Sequence, residues 1–159
     1  MLIRIFDQQT DLKIKRSSIK DTVKQVLALE KASCDEVSVH LVDTETISSL
    51  HEQFFGDPSP TDTISFPIDL EEDLNYRVLG EVFVCPKTAI DYASENQSDP
   101  YFEITLYLVH GLLHLLGYDD LGKEEIKMRH AEQRHMTHLQ AGQMLLCPKG
   151  FKRSRIGRN

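Results

Sequence analysis

Apolar side chains alternate with polar ones in some stretches and recur every three or four residues in others. The switches between these two periods lay out the fold. Residues 2–6 alternate and predict a first strand. Ile19, Val23, Val26 and Leu27 recur at helical spacing behind Ser18 and Asp21, which resemble a capping box. Glu36–Val42 sets Val37, Val39 and Leu41 against Ser38 and His40, predicting a half-buried strand with His40 on the face away from the apolar residues. Asp43 is placed to cap a helix carrying Ile47, Leu50 and Phe54 on one side. After the loop FGDPSP, residues 63–68 and 79–85 read as strands. Pro67 confines the first to an edge or a bulge. The acidic DLEEDLNYR between them, residues 69–77, reads as an exposed hairpin loop. Pro86 and Asp99-Pro100 open two more helices. A last helix over residues 123–140 is acidic at its start and basic at its end. Strands and helices interleave without a repeat or linker. The pattern predicts an α+β single domain with a mixed four-stranded sheet and helices packed against it.

One helix departs from the amphipathic rule. Between residues 104 and 116 apolar side chains fall on nearly every face, so this helix is expected in the core. It nevertheless carries His110 and His114 in the string HGLLHLLGYDD. Residues four apart share a helix face, and buried imidazoles need partners, which a metal ion would provide. Gly117 can end the helix in a left-handed turn and return the chain, bringing Asp120 to the same point. Three protein donors with a fourth position open is the pattern of a catalytic rather than a structural zinc. Such an ion lowers the pKa of a water and polarises a phosphoryl or carbonyl oxygen, which makes hydrolysis the expected reaction class. The HExxH peptidase pattern would need a Glu where Gly111 stands, so a protease reading is disfavoured. Gly111 either leaves room beside the metal or permits close helix packing.

Composition narrows the setting. A chain of 159 residues can bury a sizeable single core. No apolar run is long enough to span a bilayer, and the N-terminal segment lacks a signal-peptide pattern, so a cytoplasmic protein is expected. Cys34, Cys85 and Cys147 are scattered, which excludes a CxxC-type zinc site and a disulfide framework. The net charge of −7 argues against a generic nucleic-acid binder. The distribution is uneven: Lys149, Lys152, Arg153, Arg155 and Arg158 fall within the last eleven positions, and all 25 acidic residues precede them. Residues 1–148 are expected to form the hydrolase domain. Residues 149–159 would be a basic, flexible tail, serving either as an RNA contact or as a solubilising terminus.

Three ordered motifs resemble a known family. HGLLHLLGYDD is similar to the HGxLHLxGYDH signature of the YbeY endoribonucleases, PTDTISFP to their PTDVLSFP, and LGEVFVCPKTA to their LGDI-type strand entering a helix. Together these motifs cover roughly residues 50–120. The resemblance implies a small cytoplasmic protein that uses one zinc ion to cleave single-stranded RNA. It implies a role in maturing the 3′ end of 16S ribosomal RNA and in ribosome quality control, with the ribosome or its proteins as further partners. It places the metal on His110, His114 and Asp120, the last where the family usually has His. An anionic third donor lowers the net positive charge of the site, so its activated water is expected to be a weaker acid than in an all-histidine site.

Several assignments stay open. Asp119, His130, His135 and His138 compete with Asp120 as third donor. Asp62 could orient a ligand histidine from behind the metal, although it could equally cap the loop-to-strand turn. Glu81 is a weaker base candidate, and no proton acceptor is identified beyond the metal-activated water. Phe55 stands before Gly56 where the family often has an arginine that would meet phosphate. Either another cation, Lys87 or the tail, then serves, or nuclease activity is weaker, and Phe55 would either stack on an unpaired base or anchor its loop in the core. Two other functions compete with the nuclease: a ribosome-associated maturation factor with a mainly structural metal, and a metal-dependent hydrolase of another substrate.

Overall fold

A computed structural model describes residues 1–68 and 75–152. It is an α+β structure of four strands and five helices. In chain order these are β1 (Leu2–Gln8), α1 (Arg16–Leu29), β2 (Glu36–Val42), α2 (Thr44–Phe55), β3 (Thr63–Pro67), β4 (Val78–Val84), α3 (Pro86–Asn96), α4 (Pro100–Leu115) and α5 (Glu124–Ala141). The sheet order is β1-β2-β4-β3, with β1, β2 and β4 parallel and β3 antiparallel to β4. The expected mixed four-stranded sheet is therefore present, and Pro67 ends an edge strand, where its missing N–H breaks no ladder. Residues 69–74 of the expected hairpin loop, and residues 153–159 of the expected tail, lie outside the described part. No described helix is long and apolar enough to cross a membrane.

Strand alternation sends Val37, Val39, Leu41, Val82 and Val84 into one core with α1, α4 and α5. At its centre lies α4, where Ile104, Leu108, Val109, Leu112 and Leu113 are fully buried. Burying each such side chain contributes about 1.5–3 kcal/mol, so this helix is the largest single contributor to the core. Asp99 caps α4 through the Tyr101 amide at 2.9 Å, and Pro100 occupies its first turn as the sequence predicts. Asp43 caps α2 in the same way through Thr46, at 2.8 Å.

The opposite face of the sheet carries α2 at one end, over Val42, Ile64 and Cys85. Beside this cluster the His40 ring stacks between Phe6 and Phe83, its cross-strand neighbours, at 4.7 and 4.1 Å. His40 thus lies away from the main core, as its place in the alternation requires.

The start of α1 differs from expectation. The helix begins at Arg16 with Lys15 as its cap residue, and Ser18 is buried inside the first turn. The Ser18 hydroxyl donates to the Lys15 carbonyl at 2.6 Å and accepts from the Cys147 amide at 3.3 Å. A hydroxyl engaged with the C-terminal segment is no longer available as a cap. All three cysteines are free, in line with their scatter.

Candidate metal centre

The last two turns of α4 carry His110 and His114 on one face. Beyond Leu115 the helix closes in a Schellman turn: the Gly117 amide reaches the His114 carbonyl at 3.1 Å and the Tyr118 amide the Leu113 carbonyl at 3.0 Å. Gly117 takes φ +100°, a conformation open to glycine at little strain. The turn sends the chain back along the helix, so that Asp120 faces both imidazoles.

Three atoms converge there. His110 Nε2 and His114 Nε2 are 3.0 Å apart, and Asp120 Oδ2 lies 2.9 Å from His114 Nε2 and 3.3 Å from His110 Nε2. Donors bound tetrahedrally to one zinc at about 2.0–2.1 Å stand roughly 3.3 Å from each other, so the donor set fits a divalent ion with little rearrangement. The other Asp120 oxygen, Oδ1, is buried without a hydrogen bond. These three residues alone form such a group among the described residues.

Behind His110 stands Glu132 of α5. His110 Nδ1–H donates to Glu132 Oε2 at 2.6 Å, which leaves Nε2 with its lone pair toward the other donors. Arg129 grips both oxygens of the same carboxylate, at 2.6 and 2.8 Å. Burial disfavours charge on both members of the pair, but their hydrogen bond and the surrounding charges outweigh it. His110 is therefore held above the usual imidazole range and Glu132 below the usual carboxylate range. The carboxylate behind His110 is Glu132, and of the two roles open to Asp62 the turn cap is the one seen. Asp62 Oδ1 instead accepts from the Thr63 amide at 2.7 Å, fixing the turn into β3.

The other contenders are drawn elsewhere. Asp119 accepts from the Asp120 amide at 2.7 Å. His135 is bonded to Glu30 at 2.7 Å and His138 to Gln25 at 3.1 Å, while His130 lines a different surface depression with Gln133 and Arg134. Glu81 pairs with His40 at 2.9 Å on the opposite face of the sheet. Lys87 pairs with Asp91 along α3. Among the described residues, neither Glu81 nor Lys87 lines the site.

The triad opens into a cleft of about 460 Å³ whose far wall is formed by His51, Phe55 and the Thr61–Asp62–Thr63 turn. Phe55 is 61% exposed, so the expected core-anchor role does not hold. Its position at the end of α2 turns the ring outward, 5.7 Å from the His51 ring. His51 Nδ1–H donates to the Ser59 carbonyl at 2.8 Å, orienting the imidazole in the cleft wall. No lysine or arginine lines the cleft among the described residues.

Gly111 resolves in favour of packing. A Cβ there would meet Val82 Cγ1 at 2.5 Å and the Thr63 and Ser65 hydroxyls at 3.0 and 3.1 Å. Ser65 Oγ donates to the Gly111 carbonyl at 2.8 Å, tying the edge strand to α4 beside the histidines.

A helix buried against a mixed sheet, ending in two imidazoles and a carboxylate at the floor of an open cleft, has the layout of a hydrolase built around a metal ion. A family model described as endoribonuclease YbeY matches residues 4–140, and the chain belongs to this family. A Protochlamydia amoebophila protein named Endoribonuclease YbeY is 52% identical over 140 residues, covering 87% of this chain and 93% of the relative. One of the same name from Chlamydia trachomatis serovar D is 41% identical over 149 residues, covering 92% of each. The fold is also that of TM1509 from Thermotoga maritima, known from a solution structure. It has a TM-score of 0.61 and 23% identity, and the match covers 99% of this chain and 100% of that one.

Proposed function

We propose that this chain hydrolyses phosphodiester bonds of single-stranded RNA at one zinc ion held by His110, His114 and Asp120. The substrate would be ribosomal RNA, at the 3′ end of 16S, with a role in ribosome quality control and the ribosome as partner. The observation that carries the reading is the convergence of two imidazole nitrogens and one carboxylate oxygen within 3.3 Å at the floor of an open cleft. Membership of an endoribonuclease family supports RNA as the substrate class. Imidazoles with one carboxylate suit zinc better than magnesium, which prefers an all-oxygen shell. When bound, such an ion polarises a phosphoryl oxygen and makes a water more acidic.

The chain's own residues do the remaining work. Glu132 holds His110 in one tautomer, and the Gly117 turn holds Asp120 opposite it. Exposed Phe55 offers a ring face to an unpaired base, which a duplex could not present.

Zinc-loaded protein is expected to cleave a labelled single-stranded oligoribonucleotide and to spare the same strand in a duplex. His114→Ala should abolish cleavage while far-UV circular dichroism stays unchanged. Cleavage that survives His114→Ala would refute the assignment. One observation favours a second reading, a maturation factor whose metal mainly holds the fold: the described cleft walls offer phosphate no lysine or arginine. RNA binding without cleavage, together with unfolding on chelation, would support that reading instead.

A further inference from the structure

Arg129 faces two acidic groups at once. Its Nη1 lies 2.6 and 2.8 Å from the two Glu132 oxygens, and its Nη2 lies 4.0 Å from Asp120 Oδ1, the buried oxygen without a hydrogen bond. It reaches them from α5, a helix that contributes none of the three converging atoms. Glu132 in turn holds His110 at 2.6 Å, so one guanidinium holds the support of His110 and faces Asp120.

The charges explain why a cation stands there. Two neutral imidazoles, Asp120, Glu132 and Arg129 together carry one net negative charge. Replacing Asp120 by a neutral histidine would leave the set with no net charge while Arg129 is present. It would return to one negative charge only if Arg129 were neutralised as well.

We propose that Arg129 is a positioning residue that locks the Glu132 carboxylate, and through it His110, while its positive charge faces Asp120. The inference rests on reading the triad as a metal site. A half-exposed arginine paired with a glutamate three residues on could instead be an ordinary surface ion pair of small effect. The two accounts differ in what happens when Asp120 is changed as well.

Zinc affinity, measured by competition with a chromophoric chelator, separates them in a four-protein cycle: wild type, Arg129→Gln, Asp120→His and the double variant. Arg129→Gln is expected to weaken zinc binding about fivefold in the wild-type background, the upper end for a half-exposed pair. The same change should weaken binding by a smaller factor in the Asp120→His background, where the guanidinium has only Glu132 left to hold. Arg129→Lys, which keeps the charge but loses the two-pronged grip, should recover part of the wild-type affinity. Equal factors in the two backgrounds would overturn the proposal. Should Asp120→His fail to fold, Asp120→Asn removes the same charge and must likewise reduce the weakening by Arg129→Gln. A wild-type protein that binds no zinc would overturn the metal reading itself, and this inference with it.

Discussion

Glu30 is the residue through which α1, α5 and the loop after α4 are joined, and removing it should be costly. Its side chain, 13% exposed, sits at the end of α1. Oε1 accepts from the Tyr118 hydroxyl at 2.6 Å, and Oε2 accepts from His135 Nε2 at 2.7 Å. His135 is fully buried and its other nitrogen, Nδ1, already lacks a partner. Glu30→Ala would therefore strand an imidazole with neither nitrogen bonded. Losing the charge-assisted bond from Tyr118 removes about 1.5–3 kcal/mol, and an unsatisfied buried nitrogen adds about 1–3 kcal/mol. The two share one carboxylate and do not add fully, so a loss of about 3–4 kcal/mol is expected. In a domain of 159 residues this lowers Tm by roughly 10 °C. Urea unfolding of the metal-free protein measures the loss directly. The control is Glu30→Met with His135→Leu, which replaces both partners by apolar groups and should regain at least half of it. A Glu30→Ala loss under about 1 kcal/mol, or a double variant worse than the single, would refute the reasoning.

The same groups set a pH dependence. Burial outweighs the Glu30 hydrogen bond and holds His135 below the ordinary imidazole value of 6.5. Glu30 is held below the ordinary 4.5 because the Tyr118 and His135 hydrogen bonds with nearby charges outweigh burial, and Glu132 is held below it by His110 and Arg129. Groups with depressed folded pKa contribute stability that is lost as pH falls, so the metal-free protein should weaken below about pH 6.5 and further below about 4.5. His110, held above its ordinary value, acts in the opposite sense as pH rises through its folded pKa. The urea midpoint of His135→Leu should therefore be flatter than wild type between pH 5 and 7, and parallel profiles would contradict this. Gly111→Ala should destabilise by about 1–2 kcal/mol, because crowding against Val82 exceeds the gain in helix propensity. A stabilised variant would show that the helix can simply move away.

Much of this was legible in the chain, for identifiable reasons. Strand alternation and the Asp43 and Asp99 caps act over a few residues, so the element order and the mixed sheet followed from local pattern. The triad was legible because the i, i+4 spacing and the glycine turn place all three donors within eleven residues. Support from distant elements was not. Glu132 lies 22 residues from His110, and Glu30 lies 105 from His135. A signal for both was present: Met128, Ala131, Met136 and Leu139 mark the buried stripe of α5, and Glu132 and His135 interrupt it. Acidic and imidazole groups on an apolar stripe demand buried partners, which points inward to a site. Phe55 stayed open between two placements for a different reason. Apolar character fixes what a side chain prefers, but the end of α2 fixes where it points.

The helix that donates both imidazoles is also the one around which the rest of the chain condenses. Two of the three converging groups and much of the core are therefore written into the same sixteen residues, so a change that disturbs one will tend to disturb the other. On the proposed reading, laboratory evolution of altered ion preference would have to work through the return loop and α5, the parts of the centre that can vary while the keystone helix stays untouched.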